Sequence, residues 1–423
     1  MNLRRLFTSK VFLLGLLLRL LVMPFTGHYD IRGINFAVYN LPYKGILNVY
    51  QVAAHGPVDY LVNVNFGRDY FIYPPLNYVT LGAFMWLLKP FYGGEFVSWI
   101  EGYGSDVLSV LTHPHVWRYL FLMKIPYLVF DVFLLATLCK FFAKPADRAR
   151  ALAYWWLNPI VIFLPYVWGQ FDIIPASIML AGVYASTQKK PYQTALLFGL
   201  AAAFKNYPLI LLPFVAIVMG KNIWHMCKIG LVGLLPFVLT TFPYWTDAFF
   251  RQTVLFSWQS QKMLDFLWPI GGSEGVYPFF IGYFVILLWT LYRLRGRFDQ
   301  VLAPSTMVLL WYYATTNFHQ QWFLWVLPYL VILAVRDRHL RLIGVGIVVL
   351  FFVRLVEIQA NVTTELLVWI APAFDDLPKS RTLVGMLYDI NRFRNLVDSA
   401  YLAVALFVMG YLGRGGSKEV SRG

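Results

Sequence analysis

The sequence predicts an all-α protein, a polytopic membrane helix bundle of about twelve transmembrane helices with a large outer loop carrying interfacial helices. Three observations carry that prediction. The 423 residues are 59% hydrophobic and only 13% charged, where a soluble domain carries about 25% charged residues. Apolar runs of membrane-spanning character recur down the whole chain. Between them, short basic segments alternate with longer segments poorer in Lys and Arg, which is how membrane orientation is written. The formal net charge of +14 is spread in ones to threes between these runs, so it reads as topology and not as nucleic-acid binding.

The first run, 7–25, follows Arg4 and Arg5 and contains Lys10. It has the outline of a signal peptide, but Arg19 interrupts it and MPFTGHYD offers no small-x-small cleavage site, so it is expected to stay as a first helix. The further spans are expected at 117–142, 151–168, 172–187, 192–204, 206–219, 226–243, 277–294, 301–316, 322–335, 340–356 and 397–412. Between them lie KPADRAR, QKKP, MGKNIWHMCK, RLRGRFD and RDRHLR. The segment 70–92 decides the topology. If it spans alone, those five basic loops move outside. If it stays on the outer face as an interfacial or re-entrant element, they join both termini in the cytoplasm, as the positive-inside rule favours. Pro74 and Pro75 at its start fit the second arrangement. The chain then reads as a single integral membrane domain, 1–423, with a large first outer loop at 26–116 and a late outer loop at 357–396. Cys139 and Cys227 both fall near cytoplasmic ends without metal-ligand spacing, and no disulfide is expected between them.

Asp30, Lys205 and His319 each sit on a short polar break at the outer end of an apolar run. Asp30 is the first carboxylate of the chain. Low dielectric at the membrane boundary would raise its pKa toward that of a useful base, although a helix cap or solvated loop residue is the plainer reading. Asp59, Asp69, Glu95, Glu101 and Asp106 are rival acids in the same loop. Lys205, in FKNYPLILLPF, is costly at that depth and calls for an anionic partner, such as a lipid phosphate; the plain alternative is a lysine snorkelling to the interface. His319, in NFHQQWFLW, suits hydrogen bonding to a phosphate or protonation of a leaving group, or is an ordinary interfacial histidine. In WGQFD, Gly169 permits a tight turn, and Gln170 and Asp172 line a polar cavity or simply build the turn. Arg19 and Arg354 are expensive in lipid and should face the bundle interior or a water-filled cavity. Lys124 and Asp131, seven residues apart on one helix face, are too distant to pair and read as helix–helix contacts. No P-loop, GxGxxG, HExxH, paired CxxC or GxSxG is present, which argues against soluble-type nucleotide chemistry.

Taken in order over residues 7 to 335, these features resemble the GT-C glycosyltransferases, the multi-spanning class that uses polyprenyl- or dolichyl-phosphate sugars. The ordered set is an arginine in the first helix, an acid opening a large outer loop, YPPL (73–76), a helix with Arg118 and Asp131, NPIVIF (158–163) leading into WGQFD, FKNYP and a late outer histidine. YPPL, WGQFD and FKNYP resemble bacterial polyprenyl-phosphate-mannose-dependent mannosyltransferases. The resemblance implies Asp30 as catalytic base, Lys205 beside the donor phosphate, and His319 as the histidine of a late His-Glu-basic turn. Here Gln320 and Gln321 stand where that turn has its acid and base. A DxD-like metal motif is missing around Asp30, so chemistry without cofactor or divalent metal is favoured.

The expected function is thus an inverting hexosyltransferase at the outer face of a prokaryotic plasma membrane. It would move a sugar, mannose first, from a polyprenyl-phosphate carrier to a glycan, glycolipid or protein acceptor. Asp30 would be the base; Lys205, Arg354, His319 and Arg19 the donor-phosphate candidates; Tyr73, Gln170 and Asp172 the cavity lining. Membrane lipids are the other expected partners, and nucleic acid is not one. A flippase for lipid-linked sugars is the first alternative, although transporters commonly show internal repeats and none is seen here. A non-catalytic subunit of a glycan-assembly complex is the second.

Overall fold

A computed structural model describes all residues except 1–5, 56–70, 103–106, 299, 318, 359–361 and 417–423. Each of the twelve expected spans carries helix, from Lys10–Val22 in the first to Ile390–Tyr411 in the last. Local sequence sets many of their starts. Ser9, Asn222 and Asp389 cap Lys10–Val22, Ile223–Thr241 and Ile390–Tyr411 through side-chain oxygens. Proline opens Pro145–Trp156, Pro191–Ala202 and Pro278–Arg293, where its missing N–H costs nothing.

Val116–Cys139, Ile223–Tyr244, Arg338–Val356 and Ile390–Arg414 are long and apolar enough to cross a membrane alone. A fifth candidate, Pro145–Trp156 plus Pro159–Trp168, is bent by 51° where Pro159 interrupts the helical hydrogen bonding. The remaining apolar helices are shorter. Three runs that read as single spans contain an irregular turn: π-helical at Phe163–Trp168, 3₁₀ at Tyr207–Leu211 and 3₁₀ at Gln320–Trp325. All three turns border the site described below. Leu13, Leu17 and Leu21 on the first helix, Leu231 and Leu239 on Ile223–Thr241, and Phe284, Val285 and Leu288 on Pro278–Arg293 are exposed. Such apolar faces identify an integral membrane protein. The segment 70–92 forms a 13-residue helix, Pro75–Leu87, followed by Lys89–Tyr92. Thirteen residues rise about 20 Å, short of a hydrocarbon core of about 30 Å, and the helix packs on Asp30–Lys44. Among the described residues the only strands are a two-stranded hairpin, Trp268–Gly271 with Glu274–Val276.

Glycine allows one helix crossing to close fully. A Cβ on Gly199 would fall 1.8 Å from the carbonyl oxygen of Gly233, so Pro191–Ala202 and Ile223–Thr241 meet backbone to backbone.

The bundle also encloses a polar knot. Arg19 pairs with Asp131 at 2.9 Å, both fully buried, and donates to the carbonyls of Gly15 and Trp156 while stacking on the Trp156 ring at 3.7 Å. Asp131 also accepts from Trp155 Nε1 and the Tyr166 hydroxyl. Lys124 donates to the carbonyls of Met23, Thr26 and Tyr166. Lys124 and Asp131 do not pair with each other, as their spacing predicts, but both bind Tyr166, one at its carbonyl and the other at its hydroxyl. Arg19, a donor-phosphate candidate by sequence, is committed to this knot, because a guanidinium in lipid needs a carboxylate and Asp131 supplies it.

Candidate functional site

Asp30 is the first residue of the helix Asp30–Lys44, where the helix dipole favours a carboxylate. The short segment before it is clamped from two sides. His28 N–H donates to the Trp168 carbonyl at 2.8 Å, and Gly27 N–H to the Leu366 carbonyl at 3.0 Å. Trp369 Nε1 donates to the Gly27 carbonyl. The segment with Leu366 and Trp369 and the π-helical turn together fix where the helix of Asp30 starts.

Gln170 Nε2 donates to Asp30 Oδ2 at 2.9 Å. Gln170 reaches that oxygen because Gly169 turns the chain at φ +94°, a left-handed conformation that favours glycine. A Cβ there would also press on Ile31 at 3.0 Å. His28 Nδ1 lies 3.1 Å from Asp30 Oδ1 and 3.2 Å from the Asp30 amide nitrogen. It either donates to the carboxylate or accepts from the amide, because one ring nitrogen cannot do both.

Burial alone would raise the Asp30 pKa, but His28, the Gln170 hydrogen bond and His319 outweigh it and hold the carboxyl below its ordinary value. The direction is opposite to the one read from the sequence, since these partners favour the charged form. The side chain keeps 20% of its surface accessible, enough to meet a substrate hydroxyl.

Lys205 pairs with Asp172 at 2.7 Å. Asp172 sits just before the helix Ile173–Thr187 and also accepts from Trp325 Nε1 at 2.6 Å. The anionic partner that Lys205 demanded is therefore within the chain. Burial lowers the Lys205 pKa, opposed by Asp172 and, more weakly, by Asp30. Four rings surround the ammonium, Tyr73, Phe171, Trp322 and Trp325, each with its centroid 5.2–5.7 Å away. Trp325 is itself stacked on Tyr207.

Beside Lys205 opens a cavity of about 420 Å³. Leu209, Ile210, Phe237 and Phe256 contribute apolar wall; Lys205, Ser257 and Gln259 contribute polar atoms; Tyr73 lines it as expected. Gln170 and Asp172 do not line it: they hold Asp30 and Lys205 in place.

His319 precedes the turn Gln320–Trp325. Burial, then Lys262 and Lys205, push its pKa down to about 3, against a weaker pull from Asp30. That shift favours the neutral imidazole, which can exchange hydrogen bonds with a phosphate. Lys262, unnoticed in the sequence, is buried, donates to the Asn317 carbonyl at 2.6 Å and lies 5.7 Å from the Trp322 ring that Lys205 also faces. The clue was a lone lysine in the aromatic-rich run FSWQSQKM.

The structure thus gathers Asp30, Lys205 and His319 within electrostatic reach of one another and adds Lys262. It places Arg354 in a separate cavity, paired with Asp398 at 2.7 Å. Of the rival acids, Glu101 pairs with Lys44 and Glu95 lies by His113 and His115; Asp59, Asp69 and Asp106 lie outside the described residues. Among the described residues no three His, Cys, Asp or Glu side chains gather as a metal site.

Residues 92–221 match the model of a family described as alpha-(1->6)-mannopyranosyltransferase, N-terminal domain. The match likens this segment, under a third of the chain, to a mannosyltransferase domain, in line with the resemblance read from the sequence. No curated protein matches it. Among solved structures, ArnT from Cupriavidus metallidurans, crystallised with undecaprenyl phosphate, is similar at 14% identity and a TM-score of 0.44, covering 96% of this chain and 77% of that one.

Proposed function

We propose that this chain is an inverting hexosyltransferase that moves a hexose, mannose first, from a polyprenyl-phosphate carrier to a hydroxyl of a glycan, glycolipid or protein acceptor. The observation that carries the reading is a partly accessible Asp30, held below its ordinary pKa, within electrostatic reach of a caged Lys205 that opens onto a largely apolar cavity. The family match over 92–221 supports mannose as the sugar.

The acceptor oxygen attacks the anomeric carbon as the bond from that carbon to the phosphate oxygen breaks. The acceptor proton passes to Asp30, which the helix start and Gln170 keep ionised and oriented. General-base help of this kind contributes about 10²–10⁴-fold. The leaving lipid phosphate gains negative charge next to Lys205 and Lys262. Charge-assisted hydrogen bonds in a dry pocket stabilise it there, while Asp172 keeps the ammonium aimed. Neutral His319 contributes a hydrogen bond. The first isoprene units lie along Leu209, Ile210 and Phe237. Metal-independent transfer belongs to the proposal on the sequence ground that Ile31 and Arg32 follow Asp30, and transfer should persist in a chelator. The orientation with both termini in the cytoplasm and the site outside rests on the basic loops and on the packing of Pro75–Leu87 against Asp30–Lys44.

The test is transfer of labelled mannose from polyprenyl-phosphate mannose by the purified full chain. Asp30→Asn should lose about 10²–10⁴-fold in rate with an unchanged melting temperature; undiminished transfer would remove Asp30 as the base.

A further inference from the structure

A second cavity, about 530 Å³, shares none of its lining with the Lys205 cavity. On the helix Leu302–Thr315, Tyr312 lines the first and its neighbour Tyr313 lines the second. Three guanidinium groups, Arg354, Arg381 and Arg394, bound the second cavity with one carboxylate, Asp398, so its formal charge is two units positive. Arg354 is buried and salt-bridged to Asp398, whereas Arg381 is exposed and Arg394 half-buried.

We propose that this cavity is a second anion site that takes the phosphate ester of a membrane lipid. The planar guanidinium fork matches phosphate oxygens two at a time, and three such forks bound one cavity that holds a single carboxylate. The rim names the source of the phosphate. Phe266 lines the cavity and begins an exposed apolar run through Leu267, Trp268 and Ile270. The helix Ser380–Leu387, which carries Arg381, exposes Leu383, Met386 and Leu387, the last at 88%. An amphipathic helix with basic and apolar faces lies in the headgroup region of a bilayer. A free anion needs the arginines but not this apolar rim; a lipid headgroup uses both. The site stands independently of sugar transfer, because binding alone tests it.

Full-length protein in detergent is titrated with dioctanoylphosphatidic acid, with dioctanoylglycerol, which lacks the phosphate, and with inorganic phosphate, which lacks the tails. Phosphatidic acid should bind well ahead of both. Arg381→Gln with Arg394→Gln should weaken it about tenfold or more, the scale of losing charge-assisted bonds, while polyprenyl-phosphate binding is retained. Arg381→Lys with Arg394→Lys, which keeps the charge, should recover part of the loss and guards against a misfolded glutamine variant. Equal binding of dioctanoylglycerol, inorganic phosphate binding as tightly as phosphatidic acid, or wild-type affinity in the glutamine variant would each overturn the proposal.

Discussion

Two buried aspartates in this protein have nearly the same surroundings and different consequences. Asp131 accepts from Arg19 and from Trp155 Nε1; Asp172 accepts from Lys205 and from Trp325 Nε1. Each cation also lies near aromatic rings. Around Arg19 the remaining space is closed by backbone carbonyls and by Trp156. Around Lys205 one side opens onto a cavity, and further charges, Asp30 and Lys262, converge from other elements. A buried ion pair is therefore no sign of function by itself. The open side and the surplus charge make one pair a site and leave the other a fastening.

The comparison can be broken by substitution. The largest effect on stability is expected from Asp131→Ala, which strands the Arg19 guanidinium in the bundle. Breaking a buried pair costs about 3–5 kcal/mol, read as a collapse of the melting temperature in detergent. Arg19→Met combined with Asp131→Leu should return most of it, because the pair is then replaced by apolar packing. Lys205→Ala also strands a buried carboxylate, Asp172, and should lower the melt, but by less, because the cavity beside Lys205 lets water in. It should further cost about 1.5–3 kcal/mol of transition-state stabilisation, the range for hydrogen bonds to charged groups, read as the drop in kcat/KM for transfer. If Lys205→Ala melts the protein as Asp131→Ala does, the two pairs are alike and the distinction fails.

Lys262→Ala should give a smaller loss in the same assay, because Lys262 stands across Trp322 from Lys205. The last effect concerns pH. His319 titrates at about 3 in the folded protein against an ordinary 6.5. The unfolded chain therefore binds a proton that the native state refuses. That contribution to stability is complete above pH 6.5 and is lost progressively as pH falls toward 3. His319→Gln should flatten the dependence of melting temperature on pH between 6.5 and 4.5. Asp30, held below its ordinary value, is ionised across the same window and adds no slope there.

Much of the fold was legible because apolar run length and proline positions are local properties. Charge asymmetry between loops also supported the expectation that Asp30, Lys205 and His319 share one face. Their partners were less legible. Asp172 lies 33 residues from Lys205, and Asp131 lies 112 from Arg19; such pairings depend on how helices rotate against each other, which hydropathy does not record. The same limit explains why Arg19 looked like a phosphate ligand and why Gln170 and Asp172 looked like lining when they hold other side chains. Lys262 was hidden in a segment, 244–276, with neither helical period nor basic cluster to mark it. The Asp30 pKa went the other way because burial was visible in the sequence and the hydrogen bonds opposing it were not.

The clamp on the segment before Asp30 reaches across the chain: Trp369 holds the Gly27 carbonyl from 342 residues away. The segment that leads into Asp30 and the residue that seats it are therefore made far apart in the order of synthesis. The hydrogen bonds of Gly27 with Leu366 and Trp369 can form only once the helices between them have been made, so the local order around Asp30 depends on the whole bundle.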